Sequence, residues 1–264
     1  MTPLSMPAFA PLFRAGEETV GVRWLTVVYD VDADVARRAL PAPLSLPDRP
    51  RAALWLGEFS NATFDDGKGA DVRPPYFQGG VSLACARDGV PGAYALETFV
   101  AGLNHGILGR ELFGLPKKQV RQVELLEADG RISFAIVSAS DLRLLRGASV
   151  DVDETAGTEL VPSWFGEHHT AKVIPSADGR GYDVCRLVRL PWTFADARVV
   201  QTGRAELHWG RSVSDPLYLL AERPSGGFAY GEATLRIEYG TYVAELDLPE
   251  PLGQEQWARD EVRR

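Results

Sequence analysis

The chain has 264 residues, of which 45% are hydrophobic and 24% are charged, as is typical of a soluble globular protein with a substantial core. A formal net charge of −8 argues against nucleic acid or an anionic membrane as the main partner, because both bind basic surfaces. Two cysteines exclude a disulfide framework, and the chain has neither a signal pattern nor an apolar run of membrane-spanning length. We therefore expect a cytoplasmic protein.

The amino-terminal region predicts an arm, a strand and a short helix. Residues 1–18 are rich in proline and small side chains and are expected to form an extended arm. Residues 20–30 are β-branched and aromatic and predict a strand. Asp32 is suited to cap a helix over residues 33–40, which Pro41 would end.

The next region predicts three strands and one long loop. A strand is predicted at 52–59, followed by a polar segment at 60–75 that is either a mobile surface loop or a lid over a site. Strands at 77–87 and 92–100 flank Asp88-Gly89, a dipeptide suited to a tight turn. These two strands are therefore expected to form a hairpin.

The rest of the chain is rich in short strands and poor in helices. Helices are predicted at 104–113, 216–222 and 251–264. Further strands are predicted at 120–126, 131–138, 140–146, 169–174, 182–188, 195–207 and 228–248. Many short strands without a linker or an internal repeat indicate one mainly β domain over 1–264, folded as a sandwich or a closed barrel.

Two adjacent lysines, Lys117 and Lys118, follow an apolar helix and a proline, Pro116. Proline cannot continue the helix, so the lysines are expected to open a strand, where neighbouring side chains leave opposite faces. At most one of them can point into the interior. A buried lysine has a lowered pKa, and the neutral amine can attack a ketone or an aldehyde to form an iminium ion. Without further support, two solvated charges on a loop would be the simpler interpretation.

That support comes from a family resemblance. Gly-Arg-Glu-Leu, a three-residue spacer, a proline and Lys-Lys over residues 109–118 resemble the signature of the acetoacetate decarboxylase family. Two further segments resemble the family in the same order: residues 29–44, and residues 172–185 with Lys-Val-Ile-Pro, Asp-Gly and a cysteine. The resemblance spans most of the chain and implies a cone-shaped antiparallel β-barrel with a few short helices.

The resemblance also implies a chemistry. Lys117 would form a Schiff base with the substrate, as the activated lysine of that family does, and Lys118 would lower its pKa or orient it. The resemblance implies that the covalent imine needs no cofactor. It also implies a homo-oligomeric assembly.

Other positions depart from the family pattern or stay open. The pocket glutamate of the family corresponds to Gln78 in this chain. The glutamine amide is neutral and cannot transfer a proton. The amino-terminal arginine falls at Val22, and the adjacent Arg23 can replace it only if a bulge intervenes. Three other substrate-binding candidates are Glu111, Tyr239 and Tyr242. The two tyrosines, in a late predicted strand, are possible proton donors.

The predicted function is therefore a lyase that acts on a small keto acid or related carbonyl compound, by decarboxylation or by aldol addition and dehydration. The alternative is a barrel that binds a small molecule and has lost catalysis. Glu167-His168-His169 does not predict a metal site, because neighbouring histidines on a strand face opposite ways and no third ligand is evident. We expect these histidines at the surface or at an interface.

Overall fold

A computed structural model of the chain describes residues 6–7, 9–11, 15–67, 69–102, 107–153, 159–221 and 225–248. These residues form two α-helices, α1 (Ala33–Ala39) and α2 (Ile107–Phe113), and a short 3-10 helix at Pro216–Leu219. The strands are β1 (Glu17–Asp30), β2 (Arg51–Asp65), β3 (Ala70–Val72), β4 (Tyr76–Arg87), β5 (Val90–Ala101), β6 (Lys117–Ala128), β7 (Arg131–Ser138), β8 (Arg143–Asp153), β9 (Glu167–Pro175), β10 (Tyr182–Trp209), β11 (Ser225–Ile237) and β12 (Thr241–Glu245). None of the helices in these ranges is long and apolar enough to cross a membrane.

Seven strands close into a barrel. Their pairings run in a ring through β1, β2, β4, β5, β9, β10 and β11, and the ring closes because β1 pairs with both β2 and β11. All of these pairings are antiparallel except β5 with β9. The predicted mainly β fold, organised as a barrel, is confirmed.

Aromatic side chains fill this barrel. Trp24 of β1 stacks on Trp55 of β2 with ring centroids 4.8 Å apart, and it also contacts Trp192 of β10 and Phe165, which precedes β9. Strands β1 and β10 are not neighbours in the ring, so these contacts cross its interior. Alternation along β1 places Val20, Val22 and Trp24 on this inner face.

Strands β6, β7 and β8 cover the outside of one wall. They bridge β5 to β10, since β6 pairs with β5 and β8 pairs with β10. The alternate residues of β1, such as Leu25 and Val27, pack with Val123, Phe134 and Leu145 in a second core between the two layers. Both faces of β1 are therefore buried, which explains its nearly continuous hydrophobic run.

Local sequence signals account for several element boundaries. The Asp32 carboxylate accepts hydrogen bonds from the backbone N–H groups of Asp34 (2.9 Å) and Val35 (2.8 Å), so it caps α1 as predicted. Asp88 and Gly89 both have positive φ, 51° and 78°, as a tight hairpin turn between β4 and β5 requires.

Several predicted boundaries differ from the structure, and one predicted element lies outside the described residues. Strand β1 begins at Glu17, so the predicted arm over residues 1–18 overlaps the barrel. The predicted loop at 60–75 is largely a hairpin of β2 and β3. The strands predicted at 182–188 and 195–207 are one strand, β10, whose pairing with β11 shifts register between Ala195 and Arg198. The helix predicted at 251–264 lies outside the described residues.

Candidate active site

The barrel wall divides beside β5. This strand pairs with β9 at Ala93 and Tyr94, and then with β6 from Thr98 to Ala101. Helix α2 and the turn after it lie at the division. The Thr170 hydroxyl of β9 donates to the Phe113 carbonyl oxygen (2.6 Å), and the Thr98 N–H donates to the Pro116 carbonyl oxygen (3.1 Å). The segment before Lys117 is therefore held by both strands.

The turn between α2 and β6 is closely packed. Gly114 has a φ of +68°, which favours glycine, and a Cβ at this position would lie 2.7 Å from the Cβ of Lys172. Pro116 then prevents the helix from continuing. Arg110 on α2 donates a hydrogen bond from its Nη1 to the carbonyl oxygen of Lys117 (3.0 Å). Arg110 thus positions the backbone of the lysine from the helix side.

The Lys117 side chain is buried, with 5% of its surface exposed. It lies against Gly109 of α2, where an added Cβ would be 2.7 Å from Cε and 2.9 Å from Nζ. Burial lowers the pKa of Lys117; the Glu18 carboxylate opposes this shift, and Arg73 adds to it. The amine therefore gives up its proton more readily than a solvated lysine does.

Lys118 leaves the opposite face of the strand. Its Nζ lies 2.6 Å from Glu97 Oε1, 2.8 Å from Asp215 Oδ1 and 2.6 Å from the Ser214 carbonyl oxygen. Burial acts to lower the pKa of Lys118, but the two carboxylates outweigh it and raise this pKa. The positive charge that lowers the Lys117 pKa is thus Arg73, in place of the predicted Lys118. A role of Lys118 in orienting its neighbour stays a prediction.

A buried charged cluster lies at the same end of the barrel. Glu18 of β1 is 3% exposed, and its Oε1 accepts a hydrogen bond from the Tyr76 hydroxyl (3.1 Å). Arg73 is 8% exposed and lies 4.9 Å from the ring centroid of Phe64, which pairs with Glu18 across β1 and β2. Burial raises the pKa of Glu18, while Lys117, Tyr76 and Arg73 oppose the shift.

The sequence predictions missed Glu18 and Arg73. Glu18 was assigned to the arm, although it has the same parity as the inward-facing Val20 and Val22 and so continues their alternation. Arg73 was assigned to the loop, and no pattern in the sequence distinguishes it from an exposed arginine.

Two neutral polar side chains complete the inner surface near Lys117. Thr98 pairs directly with Lys117 in the parallel β5–β6 ladder and is 1% exposed, and Gln78 of β4 is 2% exposed. Among the described residues, neither Thr98 Oγ1 nor Gln78 Oε1 has a hydrogen-bond partner. Buried polar atoms without partners are uncommon in proteins, so these two are available to a ligand.

A family model described as acetoacetate decarboxylase (ADC) matches residues 2–246 of this chain. The chain belongs to the acetoacetate decarboxylase family. It is 27% identical over 208 residues to the acetoacetate decarboxylase of Burkholderia cenocepacia (strain HI2424), covering 77% of this chain and 78% of that one.

Solved structures share the fold. An acetoacetate decarboxylase-like enzyme from Sphingomonas wittichii RW1 superposes with a TM-score of 0.77 and 20% identity, over 93% of this chain and 100% of that chain. The enduracididine biosynthesis enzyme MppR, complexed with pyruvate, superposes with a TM-score of 0.71 and 19% identity, over 92% and 96% of the two chains. MppR has also been solved with the condensation product of pyruvate and imidazole 4-carboxaldehyde.

Three residues were predicted to line the pocket by resemblance to the acetoacetate decarboxylase family, and the structure places one of them, Arg23, elsewhere. Arg23 forms an ion pair with Glu58 (2.7 Å) on the outer face of the barrel, because β1 has no bulge between Val22 and Arg23. Tyr239 and Tyr242 are 42% and 51% exposed. The predicted role of Arg23 is therefore wrong, whereas the roles of the two tyrosines stay predictions.

Glu111 remains a neighbour of the site through α2. It is partly buried, one residue after Arg110 and two after Gly109. Its predicted role in substrate binding stays a prediction.

The histidine pair is buried, in contrast to the surface location expected from the sequence. His168 is fully buried, its Nε2 lies 3.0 Å from Ser82 Oγ, and its ring stacks on Trp192 at 4.2 Å. Burial lowers its pKa to about 3, so the ring is neutral at physiological pH. His169 is 2% exposed. The described residues contain no group of three side chains suited to hold a metal ion.

Proposed function

We propose that this chain is a lyase in which the Lys117 amine forms a Schiff base with the carbonyl carbon of a small keto acid. The observation that carries the proposal is the burial of this amine beside Gly109, with a pKa lowered mainly by burial. Membership of the acetoacetate decarboxylase family and the curated relatives of that name support a lyase. A neutral amine in a site shielded from water is the state that nucleophilic attack requires.

The surrounding groups suit the steps of imine formation. The lone pair of Lys117 Nζ attacks the carbonyl carbon, the oxygen gains one proton from the amine and one from the surroundings, and it leaves as water while the iminium forms. The unpartnered Thr98 hydroxyl lies beside Lys117 in the sheet and is suited to donate a hydrogen bond to this oxygen. The guanidinium of Arg73, which is also paired with Asp71 (3.2 Å), acts on the Lys117 amine and would supply positive charge near a substrate carboxylate.

Two reactions can follow from the iminium. One is loss of CO2, as the name of the Burkholderia relative states for that protein. The other is carbon–carbon bond formation with an aldehyde, followed by water loss. The MppR complexes with pyruvate and with a pyruvate condensation product make pyruvate a useful probe of the second reaction. Both reactions withdraw electrons from the substrate into the same iminium.

Borohydride trapping tests the proposal. The protein is incubated with acetoacetate or pyruvate, reduced with sodium borohydride and digested for mass spectrometry. The chain has four lysines, Lys68, Lys117, Lys118 and Lys172, so the modified one can be assigned by peptide mapping. We expect a stable adduct on Lys117.

The variants of this experiment are matched in charge. Lys117→Arg keeps the positive charge but cannot form an imine, so the adduct should disappear. Lys172→Arg keeps a cationic donor for the Leu112 carbonyl oxygen (3.3 Å) and should retain the adduct. Absence of an adduct in the unmodified protein with either keto acid would overturn the proposal and favour a barrel that only binds its ligand. Release of CO2 from acetoacetate, or condensation of pyruvate with an aldehyde, then separates the two lyase reactions.

A further inference from the structure

Glu18 is a buried carboxylate in the same barrel interior as the buried Lys117 amine. Glu18 is on the inner face of β1, 3% exposed, and it is held by the Tyr76 hydroxyl at 3.1 Å. Its strand neighbours Val20 and Val22 belong to the same buried cluster as residues of α2, the helix against which Lys117 lies, so the two groups face the same interior. The charges of Glu18 and Lys117 also act on each other. Glu17, its neighbour in the sequence, is exposed on the other face.

Among the described residues, none of the other inward-facing side chains named at this end combines these properties. Gln78 is uncharged and cannot accept a proton, and Thr98 is a weak acid. Tyr76 donates its hydroxyl proton to the hydrogen bond with Glu18, and burial, followed by the charge of Glu18, raises its pKa well above the usual value. Tyr76 is thus a hydrogen-bond donor at neutral pH, and it orients the carboxylate.

We propose that Glu18 is the catalytic residue that transfers a proton to and from the substrate carbon next to the imine carbon. This inference rests on the proposed function, because it needs the imine on Lys117. It also names the substrate class: a 2-keto acid that carries a hydrogen on C3.

A 2-keto acid satisfies the proton and electron balance of this step, and pyruvate, the compound in the MppR complexes, is of this class. A Glu18 oxygen removes a proton from C3, the C–H electron pair becomes the C2–C3 double bond of an enamine, and the electrons of the C=N bond move onto the Lys117 nitrogen. No oxidant or reductant is needed. The carboxylate of a 2-keto acid is attached to the imine carbon itself, so breaking that bond cannot deliver electrons into the imine in this way. The C3–H bond can, and the enamine then attacks an aldehyde or takes back the proton from Glu18.

The raised pKa of Glu18, which comes from burial, fits this role, because a carboxylate with a higher pKa is a stronger base. Lys117, Tyr76 and Arg73 oppose the shift, because each of them stabilises the ionised form.

Hydrogen exchange at the methyl group of pyruvate tests the proposal. The protein is placed in D2O with pyruvate, and the loss of the methyl proton signal is followed by NMR, while borohydride trapping is measured on the same samples. Glu18→Gln should slow exchange by about 100-fold or more, the usual contribution of a general base, yet still give the Lys117 adduct. Its amide oxygen can still accept the hydrogen bond from Tyr76. Glu18→Asp should recover part of the exchange rate. Glu17→Gln removes an exposed carboxylate from the same strand and should change neither measurement.

The outcomes separate the two claims. Trapping without a loss of exchange in Glu18→Gln overturns the assignment of Glu18 and leaves the proposed Schiff base intact. A parallel loss of trapping and exchange shows that Glu18 only supports the structure of the site, and it also overturns the assignment. Trapping without any exchange in the unmodified protein overturns it too. No trapping in the unmodified protein overturns the proposed function, and the role of Glu18 with it.

Discussion

Replacement of Gly109 by alanine tests whether the position of the Lys117 amine controls reactivity. The added methyl group would lie 2.7 Å from Lys117 Cε, 2.9 Å from Nζ and 3.1 Å from Cδ. Carbon atoms pack comfortably at about 3.5 to 4.0 Å, so the end of the lysine side chain must move by roughly 1 Å. The atoms in the way belong to the flexible end of a long side chain, so the backbone can stay in place.

The expected effects on stability and on reactivity therefore have opposite signs. Gly109 lies in α2, where alanine is favoured over glycine by about 1 kcal/mol, so the free energy of unfolding should be unchanged or slightly higher. A displacement of roughly 1 Å at a reacting atom can cost about 100-fold in rate. We expect Gly109→Ala to slow borohydride-trappable adduct formation by about that factor.

The assay combines urea unfolding with the time course of adduct formation on Lys117. Gly21→Ala is the matched control, because the nearest atom to its added Cβ is a carbonyl oxygen at 3.9 Å. It should leave both measurements nearly unchanged. A normal rate of adduct formation in Gly109→Ala would refute the reasoning, since it would show that the contact with α2 does not hold the amine in a reactive position.

Three further predictions concern the groups around the lysine pair. The pKa of Lys117 is lowered mainly by burial and further by the charge of Arg73. Arg73→Gln should therefore raise this pKa and shift the pH midpoint of adduct formation upward, and an unchanged pH profile would contradict this. Lys118→Met should lower the free energy of unfolding by about 1 to 3 kcal/mol, because it leaves the buried Glu97 carboxylate without its cation. The loss should be smaller than for a fully buried ion pair, because the Lys118 side chain is 41% exposed. The pKa of Glu97 is raised to about 7, chiefly by burial, and Lys118 holds it down, so the loss measured by urea unfolding should grow as the pH rises above 7. Thr98→Val removes a buried hydroxyl without a partner among the described residues, so it should raise the free energy of unfolding by about 1 kcal/mol while slowing adduct formation about tenfold; a loss of stability would show that the hydroxyl is already satisfied.

Much of the fold was predictable because it depends on local patterns. The run from Val20 to Asp30, the Asp32 cap and the Asp88-Gly89 turn each specify an element through nearby residues. The boundaries that were wrong depend on distant partners. Strand β1 extends back to Glu17 because β2 and β11 continue alongside it.

The site was predictable in part. The change of direction at Pro116 and the alternation of a strand predicted that at most one lysine points inside, and the family resemblance indicated Lys117, which the structure buries. Arg23 was misassigned because the prediction required a bulge, and the regular ladder beside Val22 excludes one.

The sequence by itself determined that this chain is mainly β, that it belongs with the acetoacetate decarboxylases, and that Lys117 is the residue to examine. Those conclusions rest on short-range spacing, which is fully contained in neighbouring residues. Only the tertiary structure decided what surrounds the amine. Glu18, Arg73 and Gly109 are far apart in the chain, and closure of the barrel brings them to one end of a nearly dry interior. The pKa of a buried group depends on its neighbours in space, so the chemistry of this lysine is a property of the folded barrel.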